Sequence, residues 1–277
     1  MLEISIRASS VASLVDCPLR GVSLALGLVK PLPSTPPACI GSAVHAGSAV
    51  YDQHALDGSP ITPNEGAGVV VDYLRHPPED VNWGDMAYRE AERRALGVFT
   101  SYCSQIAPRF QYQSVELTLE PMVLDFSSEG VPVLMTLTGT LDRQYASYAG
   151  GDDLAPIAQD GQQYGIMDEK TGARALGLKA GRHKAQLGIY ELLAENTTLI
   201  RPTLPALIGA LQTSSDYAVG VQQVDHTREA LLGDGEGQIG ILTWIAKQFA
   251  SGDVIGNPSS WLCSQKLCPL WDNCLFR

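Results

Sequence analysis

Charge is scarce in this chain, and positive charge most of all. Only 18% of its 277 residues are charged, with 19 Lys and Arg against 30 Asp and Glu, a formal net charge of −11. Soluble domains average about 25% charged residues. A chain with a sequence pI near 4.8 does not coat nucleic acid by bulk attraction. Long apolar runs are also missing. The longest uncharged stretch, residues 31–51, begins with four prolines and is filled with Gly, Ser and Ala, so it predicts no membrane span. Residues 1–7 lack a basic stretch followed by an apolar run, and no signal peptide is expected there. These absences point to a soluble, cytoplasmic protein. No internal repeat or low-complexity segment appears. The 45% hydrophobic content excludes a disordered chain, and the length suits one or two domains with a core that needs no disulfides.

Cysteine is sparse but unevenly spread. Three of the six cysteines fall in the last fifteen residues, as Cys263, Cys268 and Cys274. Thiols this close in sequence suit a thiolate-bound metal centre, whose ligands converge from one turn-rich segment. Cys17, followed by Pro18, is a candidate fourth ligand from the other end. Buried or incidental cysteines are the alternative, and Cys39 and Cys103 are read as such outright.

Periodicity divides the chain. Ser9-Ser10 predicts a helix N-cap before residues 11–15, the apolar run 22–29 a second short helix, and residues 31–37 a rigid loop. A helix is expected from Gly41 to about Leu56, with Ala43, Ala46, Gly47 and Ala49 permitting close packing. Residues 52–92 carry nine acids against two arginines and run into a helical pattern over 85–103. They predict a solvated helical region lying away from any polyanion. The period then changes to two over 115–119, 131–145 and 163–168, and again over 216–224. A Gly/Asp-rich loop separates 149–161, and helices are expected over about 182–195 and 238–250. The sum is a mixed α/β fold with helices outside a central sheet.

Chemistry concentrates at the ends of two neighbouring strands. Asp168 and Lys170 are two apart and share a strand face, while Glu169 points away. Asp142, across a hairpin, can bring its carboxylate beside Asp168. Converging carboxylates make an oxygen-ligand site for Mg²⁺, and an adjacent ammonium can orient water and stabilise charge on a phosphate. Five basic residues follow in this acidic chain: Lys170, Arg174, Lys179, Arg182 and Lys184, with no acid between 171 and 190. Arg182, Gln186 and Tyr190 are spaced by four and share a helix face suited to phosphate and base contacts, or to an ordinary amphipathic surface.

The series Asp142 … Asp168-Glu169-Lys170 … Gln186-x-x-x-Tyr190 resembles the PD-(D/E)xK nuclease superfamily, in particular its RecB-like branch. Gly41-Ser-Ala-Val-His45 resembles that branch's metal-binding histidine helix. Ser9-Ser10 through Cys17-Pro-Leu-Arg20 resembles the opening of its iron–sulfur members, among them the CRISPR-associated nuclease of the adaptation machinery and AddB-type helicase–nucleases. The likeness covers most of the chain, least well over 52–103. It implies a restriction-endonuclease-like core within one nuclease domain over 1–277. Ends 1–40 and 251–277 would bind a cluster, 41–110 would be helical, 111–225 catalytic, and 226–250 a C-terminal helix. It implies Mg²⁺ or Mn²⁺ held by His45, Asp142, Asp168 and the Glu169 carbonyl, with Lys170 assisting the attacking water. It also implies a [4Fe–4S] cluster on Cys17, Cys263, Cys268 and Cys274, with structural Zn²⁺ as the alternative. Glu116 and Arg20 are candidate supporting residues.

Two features depart from the family pattern. Leu141 rather than Pro precedes Asp142, and the tail reads Cys-x4-Cys-x5-Cys where the family commonly has two residues in the first gap. The implied activity is a metal-dependent DNA exonuclease of recombination, repair or mobile-element processing, acting on single strands or duplex ends. A helicase, recombinase or integrase partner would deliver the substrate. The competing readings are a nuclease-fold scaffold or DNA-binding subunit without turnover, and a zinc-stabilised interaction protein.

Overall fold

A computed structural model of the chain describes residues 1–127, 130–148, 163–177, 180–214, 216–233 and 237–277. The expected loop over 149–161 and Lys179 lie outside the described residues. Five strands form the central sheet in the order β2-β5-β6-β7-β8: β2 (Phe110–Thr118), β5 (Thr140–Tyr148), β6 (Gly165–Gly172), β7 (Ala206–Gln212) and β8 (Val219–Val224). β5 runs antiparallel to both β2 and β6, and β6 pairs parallel with β7. The expected mixed α/β sheet flanked by helices is therefore observed.

A second sheet has the order β1-β4-β3: β1 (Leu2–Arg7), β4 (Val133–Thr138) and β3 (Met122–Asp125). The alternating stretch 131–145 is thus two strands in two sheets, divided at Gly139. A side chain there would collide with the Tyr190 ring, whose edge lies 2.9 Å from the position of a Cβ. Alternation alone did not predict β1, β3 or β7. β7 is buried along almost its whole length, and a strand covered on both faces reads as a continuous apolar run.

Eight α-helices are described: α1 (Val11–Asp16), α2 (Pro18–Ala25), α3 (Pro36–Leu56), α4 (Pro63–Arg75), α5 (Tyr88–Gln105), α6 (Lys184–Thr198), α7 (Thr227–Leu232) and α8 (Ile241–Ser251). α7 was not expected. Ser10 does not cap α1 through its side chain; its hydroxyl donates back to the Arg7 carbonyl, 2.8 Å away. α3 begins inside the supposed proline loop, because Pro36 and Pro37 occupy the first helical turn, where a missing N–H costs nothing. α4 opens with a capping box between Thr62 and Glu65.

The acidic region departs most from expectation. It is not a solvated appendage. α3, α4 and α5 close a core of their own containing Val44, Val70, Phe99 and Tyr102, which packs on Leu211 of the central sheet. The acids lie on the outer faces, with Asp52 the exception at 2% exposure. α6 and α8 cover the opposite side in a second core with the small sheet. No helix among the described residues is long and apolar enough to cross a membrane.

Candidate active site

Antiparallel pairing of Arg143 with Met167 sets Asp142 and Asp168 side by side at the ends of β5 and β6. α3 runs along this end and presents His45. The His45 Nε2 lies 3.1 Å from Asp142 Oδ2 and 3.3 Å from Glu116 Oε1 on β2. One ligand atom from each of these three residues falls within 4.8 Å of the others. A nitrogen with two carboxylate oxygens is a donor set suited to a hard or borderline divalent cation. Glu116, a candidate supporting residue in the sequence, lies within this group that could hold a cation.

Asp168 is tied down by its neighbours instead. Its Oδ2 forms an ion pair with the Lys170 ammonium, and its Oδ1 accepts a bond from Gln186 Nε2 at 2.9 Å. Gln186 in turn bonds the Tyr190 hydroxyl at 3.3 Å. The two motif residues of α6 are 3% and 4% exposed, so they form the floor of the site rather than a surface. Of the remaining basic residues, Arg174 and Arg182 are exposed and Lys184 is half-buried. The cleft measures about 790 Å³. Its α3 wall includes the small residues Gly41, Ser42, Ala46 and Ala49 beside His45. Tyr73, from the acidic region, also reaches this cleft.

The electrostatics follow from this crowding. Burial alone would depress His45, yet the Asp142 carboxylate, helped by Glu169 and Glu116, lifts it to about 9. Asp142 is held below the ordinary carboxylate range: burial opposes this, but the His45 and Lys170 charges win. Burial pushes Asp168 up, against the pull of Lys170. Lys170 is raised because its carboxylate neighbours outweigh its desolvation. His183, at the foot of α6, is driven down to about 4 by burial and by the Lys170 and Arg182 cations, and is therefore neutral.

Glu169 points away from Asp168, as strand alternation requires. Its backbone N–H donates to Asp142 Oδ2 at 2.8 Å, while its carboxylate meets Arg143 NH2 at 3.1 Å on the reverse face. Arg143 is wholly buried. Its Nε bonds Asp52 Oδ2 at 2.7 Å, its NH2 bonds Ser48 Oγ at 3.0 Å, and its NH1 lies 3.5 Å from Glu116 Oε1. Tyr102 donates its hydroxyl to Asp52. This network braces the back of the ligand group, and it was not foreseen. The signals existed: His45, Ser48 and Asp52 fall on one helix face at spacings of three and four, and Arg143 is a charge on the covered side of a strand.

The two chain ends meet at a separate site. Cys17, Cys263, Cys268 and Cys274 line one small cavity with Arg20. Burial raises the Cys263 thiol, and the nearby Cys268, Cys274 and Cys17 raise it further. Arg20 Nε donates to the Leu267 carbonyl at 3.3 Å, and the Asn257 N–H points at Cys17 Sγ from 3.5 Å. Cys39 and Cys103 lie in the helical core, where burial pushes Cys103 up to about 12.

No curated protein matches the chain in sequence. Among solved structures, the "Putative exonuclease" of Eubacterium rectale superposes with a TM-score of 0.52 at 12% identity, covering 97% of this chain and 87% of that one. That likeness concerns the fold alone. The structure of SSO0001 is also 12% identical over 92% of this chain and 91% of its own, at a TM-score of 0.37, too low to bear on the fold. The sequence profile of the PD-(D/E)XK nuclease superfamily matches residues 5–274. That span takes in the carboxylates of β5 and β6, the lysine beside them and the histidine of α3, and the chain belongs to the PD-(D/E)XK nuclease superfamily.

Proposed function

We propose that this protein is a metal-dependent deoxyribonuclease of the RecB-like branch, degrading DNA from an end in recombination, repair or mobile-element processing. The observation that carries the reading is the His45–Glu116–Asp142 ligand group beside the Asp168–Lys170 pair, at the edge of an open cleft. Bound Mg²⁺ or Mn²⁺ supplies Lewis acidity toward phosphate and lowers the pKa of water. His45, Glu116 and Asp142 would hold it, with Asp168 and the Glu169 carbonyl as further ligands.

The chain's own groups do the rest. Lys170 stays charged and stabilises negative charge gathering on phosphorus-bound oxygen. Gln186 fixes the rotamer of Asp168, and Tyr190 fixes Gln186. Arg174 and Arg182, with Lys184 and Lys179, supply the local positive charge for the strand backbone. We read residues 1–277 as one nuclease unit working in the cytoplasm, with a helicase, recombinase or integrase supplying the DNA affinity that a net charge of −11 withholds. The decisive measurement is cleavage of end-labelled linear and circular DNA with Mg²⁺ or Mn²⁺. Linear DNA is expected to shorten from its ends while circles persist. Unchanged cleavage by Asp142→Ala and Lys170→Ala would overturn the mechanism.

For the cysteine site we favour a [4Fe–4S] cluster. Around one tetrahedral zinc the sulfurs would lie about 3.8 Å apart. Among the described residues, the cysteines form no group of three ligand atoms within 4.8 Å. All four thiols line one cavity, as ligands of a shared centre must. A brown protein absorbing broadly near about 400 nm and containing iron is the expected result, and a colourless protein with stoichiometric zinc is the contrary one.

A further inference from the structure

A second cavity, of about 280 Å³, lies at the start of α6, beside α1 and α8. Ala12 and Val15 of α1, Ala185 of α6 and Ile241 of α8 form its apolar lining, and Asp16, Arg182 and Trp261 also face it. Its size is near the lower end for a small-ligand pocket. Trp261 is 61% exposed and Val15 41%, unusual for large apolar side chains placed together. Arg182 is exposed just before α6.

The cavity and the cleft are lined by residues close together in the chain. Ala185 lines one and its neighbour Gln186 the other, while Ala12 lines one and Ser9 the other. A strand that leaves the candidate metal ligands along the start of α6 would meet this cavity next. The cavity's acid, Asp16, is already engaged: its carboxylate accepts from Ser260, and its carbonyl accepts from Asn257 Nδ2 at 2.8 Å. These bonds also fix the segment bearing Trp261 against α1. What remains available is one aromatic face and one cation, the pair that receives a base and its phosphate.

We propose that this cavity is a base-binding subsite in which Trp261 stacks on one nucleobase of a single strand and Arg182 meets an adjoining phosphate. The assignment rests on the nuclease reading and adds to it. It gives the junction of the two chain ends a part in substrate binding, because Asp16 holds Asn257 and Ser260 next to Trp261.

The test is fluorescence-anisotropy binding of a 5′-labelled single-stranded 12-mer by the full chain, without added divalent metal. A second 12-mer of the same length lacks all bases. Trp261→Ala is expected to weaken binding of the intact strand by about five- to a hundred-fold. Trp261→Phe should stay within about three-fold, since it keeps an aromatic face. The abasic strand should bind wild type and Trp261→Ala alike. Arg182→Ala should flatten the salt dependence of binding by about one phosphate contact. Equal binding of the intact strand by wild type and Trp261→Ala would overturn the subsite, as would an equal loss on the abasic strand. Failure of the wild type to bind either strand would instead overturn the nucleic-acid reading beneath it.

Discussion

Strand β6 presents two different chemistries on its two faces. Toward the cleft, Asp168 and Lys170 pair with each other, and Lys170 retains 25% side-chain exposure. On the reverse face, Glu169, Asp52 and Arg143 are 1%, 2% and 0% exposed at their side chains and satisfy one another in the dry interior. The cleft face has charges whose partners are exchangeable; a proton, a cation or a phosphate can take their place. The reverse face has charges that cannot lose a partner, because an unpaired buried ion costs several kcal/mol. Flexibility of ionisation on one side is thus supported by rigidity on the other, and the contrast can be broken one residue at a time.

The largest effect is expected on the reverse face. Arg143→Met strands Asp52 and Glu169 in the interior and should lower unfolding stability by about 3–5 kcal/mol, read by urea denaturation. Adding Asp52→Asn should recover part of that loss, since one of the two stranded charges is then gone. A full-strength Arg143→Met protein would show that the network braces nothing.

On the cleft face the sign of the outcome changes. Lys170→Ala should reduce DNA hydrolysis by about 10²–10³-fold while leaving stability nearly intact. Asp168 loses its counter-ion, but its already raised proton affinity lets it take up a proton instead of remaining as a bare charge. Single-turnover cleavage and thermal unfolding on the same preparation separate the two effects.

The difference between the faces also explains what the sequence made legible. Asp142, Asp168 and Lys170 are visible because their spacing and order are local to two strands, and the Gln186 to Tyr190 spacing is local to one helix. The Arg143 network joins α3, α5, β2, β5 and β6 across up to 121 residues, as in the Ser48–Glu169 bond, and no local period marks such a contact. Acidic composition obscured it further: residues 52–92 read as solvated because nine acids outweigh the apolar positions that pack α4 and α5. β7 escaped for the opposite reason, having no alternation because it has no wet face. The junction of Cys17 with the tail was legible, since thiols are rare and their clustering is itself the signal.

A smaller effect concerns protons at the ligand group. In the metal-free protein His45 carries a proton up to about pH 9, so a divalent cation must displace it. Mn²⁺ affinity should therefore rise by about tenfold per pH unit between 7 and 8.5 and level off above about 9. The stability of the metal-free protein is expected to follow the opposite trend. A histidine raised from 6.5 to about 9 contributes stability that is fully present below 6.5 and lost as pH rises through 9. Calorimetric Mn²⁺ titrations at several pH values should lose most of their slope in His45→Gln. A slope that survives this substitution would mean that another group holds the competing proton.

The smallest effect is confined to Glu116, where the two faces meet. Its backbone is left-handed, with φ of 50°, although it lies within β2 and is neither Gly nor Asn. Such a conformation costs of order 1–3 kcal/mol in a non-glycine residue and persists only where its surroundings enforce it. Here the twist aims the carboxylate at His45 from a strand that also touches Arg143. Within an ordinary strand, Gly is less stable than Ala by roughly 0.5–1 kcal/mol. At this position the order should invert, with Glu116→Gly more stable than Glu116→Ala by about 1 kcal/mol, because only glycine adopts the angle without strain. Both variants lose the same carboxylate, so both should weaken Mn²⁺ binding equally. A stability difference without a binding difference isolates the backbone from the ligand. The usual order, Ala above Gly, would mean that β2 relaxes to extended geometry once the carboxylate is gone, and that the ligand group rather than the strand imposes the twist.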